Sequence, residues 1–145
     1  MKHFLIPESK GIMVTQKYSK VLLVDDDNIN NFINVRLIKR VGVSDNVVIT
    51  NNGQEAIDYL QKINEEKPDL ILLDINMPVM DGFEFLKEFE QSKTADYNPL
   101  IIVLTTSSNL SDLEKVKGSS LAAGYINKPL TEENLVGFIK RMNEN

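Results

Sequence analysis

The sequence contains no cysteine. Disulfides, thiolate metal sites and cysteine nucleophiles are therefore excluded together, and the composition is compatible with a reducing compartment. His3 is the only histidine, so a zinc site built from nitrogen and sulfur ligands lacks donors. There is no basic excess: 16 Lys and Arg stand against 21 Asp and Glu, a formal net charge of −5. A DNA-binding domain needs a basic surface to neutralise phosphates, so direct nucleic-acid binding is not expected. Long apolar runs are missing too. The longest is Leu100-Ile101-Ile102-Val103-Leu104, whereas a membrane-spanning helix needs about 20 apolar residues. Near the start, Phe4-Leu5-Ile6 is cut by Pro7, well short of the roughly 7–15-residue apolar region of a secretory signal. The expectation is a cytoplasmic chain without membrane association. Repeats and low-complexity tracts are absent as well.

What is there fits one ordinary domain. The chain has 145 residues, 42% of them hydrophobic and 26% charged, and a domain near this length buries roughly 68–70% of its unfolded surface. Five short apolar runs stand out: Val21–Val24, Val47–Ile49, Leu70–Leu73, Leu100–Leu104 and the weaker Tyr125-Ile126. Three of them are continuously apolar, the mark of strands buried on both faces. Segments with helical spacing lie between and after them. Ile29, Phe32, Ile33, Leu37 and Val41 form one stripe; Ala56, Leu60 and Ile63 a second; Phe85, Leu86 and Phe89 a third; Leu110, Leu113 and Val116 a fourth; Leu135, Phe138, Ile139 and Met142 a fifth. Asn52 followed by Glu55, and Thr131 ahead of Glu132 and Glu133, mark helix starts. Pro68 and Pro99 each stand one or two residues before a strand. The order is strand then helix, five times. That implies an α/β fold: a doubly wound parallel sheet with right-handed crossovers and helices on both faces. Residues 1–19 show no periodicity and are expected to be a disordered N-terminal extension ahead of a domain over 20–145, with Met13 a second candidate start.

In open α/β sheets ligands bind beyond the carboxyl ends of the strands. The first strand ends in Asp25-Asp26-Asp27, the third in Asp74, the fourth in Thr105-Thr106, and the fifth near Lys128. Taken singly these residues are ordinary. An Asp after a strand usually caps a helix or forms a turn, and Asp27 and Asn28 are placed to do so. Together they are not ordinary. Asp25, Asp26 and Asp74 would place three negative charges in one cleft, and two such charges about 4 Å apart repel by roughly 4 kcal/mol at an effective dielectric near 20. Lys128 offsets one charge. A divalent ion with oxygen ligands offsets two more, and Mg2+ suits a site of carboxylates and phosphate oxygens. A carboxylate nucleophile, a hard divalent ion, a hydroxyl donor and a fixed ammonium are the parts of phosphoryl transfer to an aspartate.

These residues resemble the receiver domains of two-component response regulators. The likeness runs from about Lys20 to Met142 and rests on VLLVDDD (21–27), LILLDINMPVMDGFEFL (70–86), LIIVLTT (100–106) and GYINKPL (124–130), in that order. It implies a flavodoxin-like (βα)5 fold with strand order 2-1-3-4-5. It also implies that Asp74 is the phosphoacceptor, and that Asp25 and Asp26 hold Mg2+ (or Mn2+) together with Asp74 and the backbone carbonyl of Asn76. Thr105 becomes the switch hydroxyl, Lys128 the lysine that pairs with the acceptor or its phosphate, and Tyr125 either the aromatic switch residue or simply a half-buried strand residue. Lys128-Pro129 is a cis peptide in many relatives. Asp81-Gly82 reads as a turn and helix entry, with Gly82 supplying a backbone conformation closed to other residues. Met77 and Met80 read as packing or loop residues, and Pro78 as shaping the loop. One departure concerns Thr106, where a small residue is usual. With Asn76 and Ser107 it is a candidate for tuning access and phosphate lifetime.

The resemblance further implies a signalling phosphoacceptor rather than an enzyme, charged by a sensor histidine kinase or a histidine phosphotransfer protein. Only three residues follow Met142, so the expectation is a small full-length regulator whose output passes through a partner protein. Two other readings remain. A receiver that binds without phosphorylation is one. The other is a Mg2+-dependent aspartyl-phosphate phosphatase, which needs an acid two residues after its nucleophile, where this chain has Asn76.

Overall fold

Side chains alternate between the two faces of a strand, so a continuously apolar run can be buried only if both faces are covered. That is how the runs are used. The computed structural model describes residues 17–64, 66–106 and 109–144. In chain order the elements are β1 (Val21–Val24), α1 (Asn28–Arg40), β2 (Val47–Thr50), α2 (Gly53–Lys62), β3 (Leu70–Asp74), α3 (Gly82–Ser92), β4 (Leu100–Thr105), α4 (Leu110–Gly118), β5 (Ala122–Asn127) and α5 (Glu132–Asn143). The strands form one parallel sheet in the order β2-β1-β3-β4-β5, as the resemblance implied. Val21, Leu23, Leu70, Leu72, Ile102 and Leu104 face α1 and α5. Leu22, Val24, Ile71, Leu73, Ile101 and Val103 face α2, α3 and α4. The second layer is centred on Phe85 and Phe89, whose rings stack 5.5 Å apart. Truncating either ring to Ala is expected to cost about 3–5 kcal/mol.

The helix starts follow their capping residues. Asp27 caps α1 by accepting from the N–H groups of Ile29 and Asn30. Asn52 caps α2, and Asp81 with Glu84 closes a reciprocal capping box on α3. Thr131 forms the same arrangement on α5, but with Asn134 rather than either glutamate.

Four details depart from the sequence reading. Ile29, Phe32 and Ile33 lie on the solvent side, 73%, 65% and 51% exposed. Leu37 and Val41 of that stripe are buried as expected, but the helix buries Asn31, Asn34 and Ile38 in place of the other three. The reason is position: α1 runs antiparallel to the strands, so its first two turns stand above the carboxyl edge of the sheet, and only its second half has sheet beneath it. Leu110, the first residue of α4, is likewise exposed. The fifth strand is longer than Tyr125-Ile126: Ala122 and Gly124 carry no strand signal of their own yet pair with β4, and Ala123 is the extra residue between them where the register shifts.

Gly82 is the fourth. Its backbone φ is not positive; a Cβ there would lie 2.7 Å from the Asp74 carbonyl oxygen and 2.9 Å from Ile75 Cα. Close approach, not conformation, demands glycine. The positive φ in this loop belongs to Val79, at 69°. There the Met80 N–H donates to the Pro78 carbonyl (2.7 Å) and closes a three-residue turn, a form that is rare and strained. Met77 is buried, and Met80 packs beside Gly53.

At the other edge of the sheet, the Tyr18 N–H donates to the Val43 carbonyl, and Ser19 donates to Asp69. The expectation for residues 1–16, with His3 and Met13, lies outside the described residues.

Candidate functional site

The carboxyl edge of the sheet collects the chemistry. Asp25 directly follows β1, and its N–H donates to the Thr50 carbonyl (3.0 Å), the last rung between β1 and β2. Its side chain is fully buried. One carboxylate oxygen accepts from the Asp27 N–H (2.9 Å), and the other from Lys128 Nζ (3.2 Å). Asp26, next in sequence, is exposed. Asp74 ends β3 from the neighbouring position in the sheet and is 5% exposed. Lys128 Nζ lies 3.0 Å from Asp74 Oδ1. The lysine is aimed from its own backbone: its N–H donates to the Thr105 carbonyl (2.8 Å) at the end of β4, and the Lys128-Pro129 peptide is cis. One carboxylate oxygen from each of Asp25, Asp26 and Asp74 lies within 4.8 Å of the other two.

Thr105 is fully buried at the end of β4, in register with Asn127 of β5. Tyr125 is half-buried and pairs with Val103. Asn76 is exposed, two residues past Asp74. Thr106 is exposed and borders a cavity of about 320 Å³, together with Asn30, Ile33, Lys128 and Pro129. Ser107 lies outside the described residues. The three acids, Thr105 and Lys128 thus share one end of the sheet, with Asn76 and Thr106 at its rim.

Charge and burial pull against each other here. Burial raises the Asp74 carboxyl above its ordinary range; the hydrogen bond from Lys128 opposes this, the Asp25 charge reinforces it, and the Lys128 charge and the Asn76 backbone oppose it. For Lys128 burial acts downward, but its hydrogen bonds and ion pairs with Asp74 and Asp25 outweigh it, and the ammonium is held above its usual range. So Lys128 carries its charge at neutral pH, one cation against three carboxylates. The donor set fits a hard divalent ion: it is all oxygen, it is close-set, and one acid, Asp26, is open to solvent.

One residue escaped the sequence reading. Asn31 is 3% exposed, and its Nδ2 donates to the Asp25 carbonyl (2.9 Å). A signal for it was present: Asn31, Asn34 and Ile38 follow i, i+3, i+7 on one face of α1, and a polar residue on a buried stripe asks for a partner.

Residues 21–140 match the response regulator receiver domain, and the chain belongs to that family. It is 30% identical over 128 residues to the probable methanogenesis regulatory protein FilR2 of Methanothrix harundinacea, covering 86% of this chain and 81% of that protein. It is 33% identical over 123 residues to the transcriptional regulatory protein CpxR of Escherichia coli, covering 84% of this chain but only 48% of that protein, so this chain spans about half of CpxR. Among solved structures, a two-component response regulator from Cytophaga hutchinsonii superposes with a TM-score of 0.80 at 29% identity, over 90% of this chain and all of that one. The fold is thus a two-component signalling fold rather than that of an established enzyme family, and receiver domains partner with histidine kinases. Among the described residues, no helix is long and apolar enough to cross a membrane.

Proposed function

We propose that the chain accepts a phosphoryl group on Asp74 from a phosphohistidine, carried by a sensor histidine kinase or a histidine phosphotransfer protein, and that this switches its partner-binding face. The observation that carries the reading is Lys128 bridging Asp74 (3.0 Å) and Asp25 (3.2 Å) inside a set of three close carboxylates. An Asp74 oxygen attacks phosphorus; the P–N bond breaks as the O–P bond forms, and the departing imidazole nitrogen takes up a proton. Mg2+ or Mn2+ bound by Asp25, Asp26, Asp74 and the Asn76 carbonyl would neutralise charge on the phosphoryl oxygens. Lys128 holds one of those oxygens, and the Thr105 hydroxyl moves to another. Tyr125 then turns inward, and the surface of α4, β5 and α5 changes its partner affinity. Thr106, Asn76 and Ser107 set how easily donor and water reach the acyl phosphate.

The rim supports a protein as donor. Ile29, Phe32 and Ile33 of α1, Val79 of the β3–α3 loop and Leu110 of α4 are all exposed at this edge. Five apolar side chains around one polar opening suit a surface that is covered during transfer. The test is intact-mass analysis after incubation with acetyl phosphate, with and without Mg2+. The expected result is one added phosphoryl group that requires Mg2+ and is absent in Asp74→Asn. If wild type gains no mass with acetyl phosphate or with a kinase donor, the chain is a phosphorylation-independent binding module.

A further inference from the structure

Four polar atoms of Asp25 are held. Its N–H is fixed by Thr50, its two carboxylate oxygens by the Asp27 N–H and Lys128, and its carbonyl by Asn31. The first three are expected of an acid at a strand end. The fourth is not. β1 ends at Val24, so beyond it the ladder no longer fixes the peptide planes. The Asp25 carbonyl belongs to the peptide that joins Asp25 to Asp26, and its orientation sets the direction in which both acids leave the backbone. Asn31 fixes that plane from α1.

Its amide has only one workable orientation, since turning it over would set Oδ1 against the Asp25 carbonyl oxygen. With Nδ2 donating, Oδ1 is buried and has no hydrogen-bond partner among the described residues. Such an atom carries a desolvation cost that an apolar side chain would not. Asn31 is therefore a poor residue for packing and a good one for holding Asp25.

We infer that Asn31 is a positioning residue for the metal site: its bond to the Asp25 carbonyl pre-sets the Asp25-Asp26 pair for a divalent cation. The inference rests on the phosphoacceptor reading above. Partners that orient metal ligands typically change affinity 10–100-fold when removed. Asn31 acts one peptide away from the ligands, so the low end, about tenfold, is expected.

The experiment measures Mg2+ affinity by isothermal titration calorimetry, and metal-free stability by urea unfolding, on the full chain. Asn31→Leu keeps the branched shape while removing both the donor and the unpartnered oxygen; Asn31→Ala removes them without added bulk. Both are expected to bind Mg2+ about tenfold more weakly. Asn31→Leu should keep a metal-free unfolding midpoint close to that of wild type, because the Asp25 carbonyl left unpaired is offset by the removed Oδ1 orphan and by the burial of an apolar side chain. Asn34→Ala is the control: this residue, one turn further along the helix, is also buried, and its substitution should leave Mg2+ affinity within twofold. Affinity unchanged in both Asn31 variants would overturn the inference. So would a loss matched by Asn34→Ala, which would make the effect one of helix packing. Asp26→Asn separates the two readings. If that variant weakens Mg2+ binding and the Asn31 variants do not, only the positioning role falls. If wild type does not bind Mg2+, the metal-site reading falls, and the Asn31 role with it.

Discussion

Replacing Asp74 by Asn should make the metal-free protein more stable, although it removes half of an ion pair. Lys128 at 3.0 Å attracts Asp74 by about 5.5 kcal/mol at an effective dielectric near 20. Asp25 and Asp26, each with an oxygen within 4.8 Å, repel it by about 3.5 kcal/mol apiece on the same scale. Asp26 is exposed, and solvent reduces its share. The pairwise sum is thus near zero, and burial of the carboxylate decides the sign, as the upward shift of the Asp74 carboxyl shows. Asparagine keeps the shape, sheds the charge and leaves Lys128 paired with Asp25. A gain of about 1–2 kcal/mol at pH 7 is expected, or roughly 3–8 °C in Tm for a domain of this size. The assay is urea unfolding followed by circular dichroism in EDTA from pH 3 to pH 8. A raised carboxyl binds its proton more tightly in the folded state, so its ionisation weakens the fold as pH rises from the unfolded value, near 3.9, through the folded one. The advantage of Asp74→Asn should therefore vanish near pH 3 and grow toward neutrality. Saturating Mg2+ should shrink it, because the ion stabilises wild type by binding the folded state. A variant less stable than wild type at pH 7 without metal would show that the Lys128 pairing outweighs burial, and would refute the reasoning.

Other substitutions probe the loop and the rim. Val79→Asn should stabilise the protein by about 1 kcal/mol in thermal unfolding, because asparagine tolerates the left-handed region that costs a branched residue about 1–2 kcal/mol; no gain would mean that the turn is unstrained. Gly82→Ala should destabilise by about 1–3 kcal/mol in urea, since its Cβ meets backbone at 2.7 Å and 2.9 Å, and a neutral result would show that the loop yields. Phe32→Asp should change stability by less than about 0.5 kcal/mol, yet slow phosphorylation by a protein donor more than by acetyl phosphate. Equal slowing with both donors would remove α1 from the docking surface.

The site was legible wherever strand chemistry decides it. A continuous apolar run fixes a doubly covered strand, and whatever follows it arrives at the carboxyl edge. Asp25, Asp74, Thr105 and Lys128 could therefore be placed together before any coordinates. The apolar stripe of α1 misled, because periodicity tells which residues share a face but not whether sheet lies beneath it; Ile29, Phe32 and Ile33 overhang. Asn31 was marked only by its place on one face with Asn34 and Ile38; its partner is a backbone carbonyl, which the side-chain pattern does not name. The conformation expected of Gly82 falls on Val79 for a similar reason. The left-handed position carries a valine, the residue type least expected there, and the glycine answers to a neighbour's backbone rather than to its own dihedral angles.

The pairing of Lys128 with Asp25 spans 103 residues of sequence, and this has a consequence for timing. Asp25, Asp26 and Asp74 can come together once β1 and β3 are side by side, but the cation that balances them follows β5, the edge strand that the chain supplies last. Until β5 docks on β4, the acids face one another without their lysine. On the proposed phosphoacceptor reading, competence to take a phosphoryl group is thus a property of the finished sheet, and a partly folded chain would stay silent.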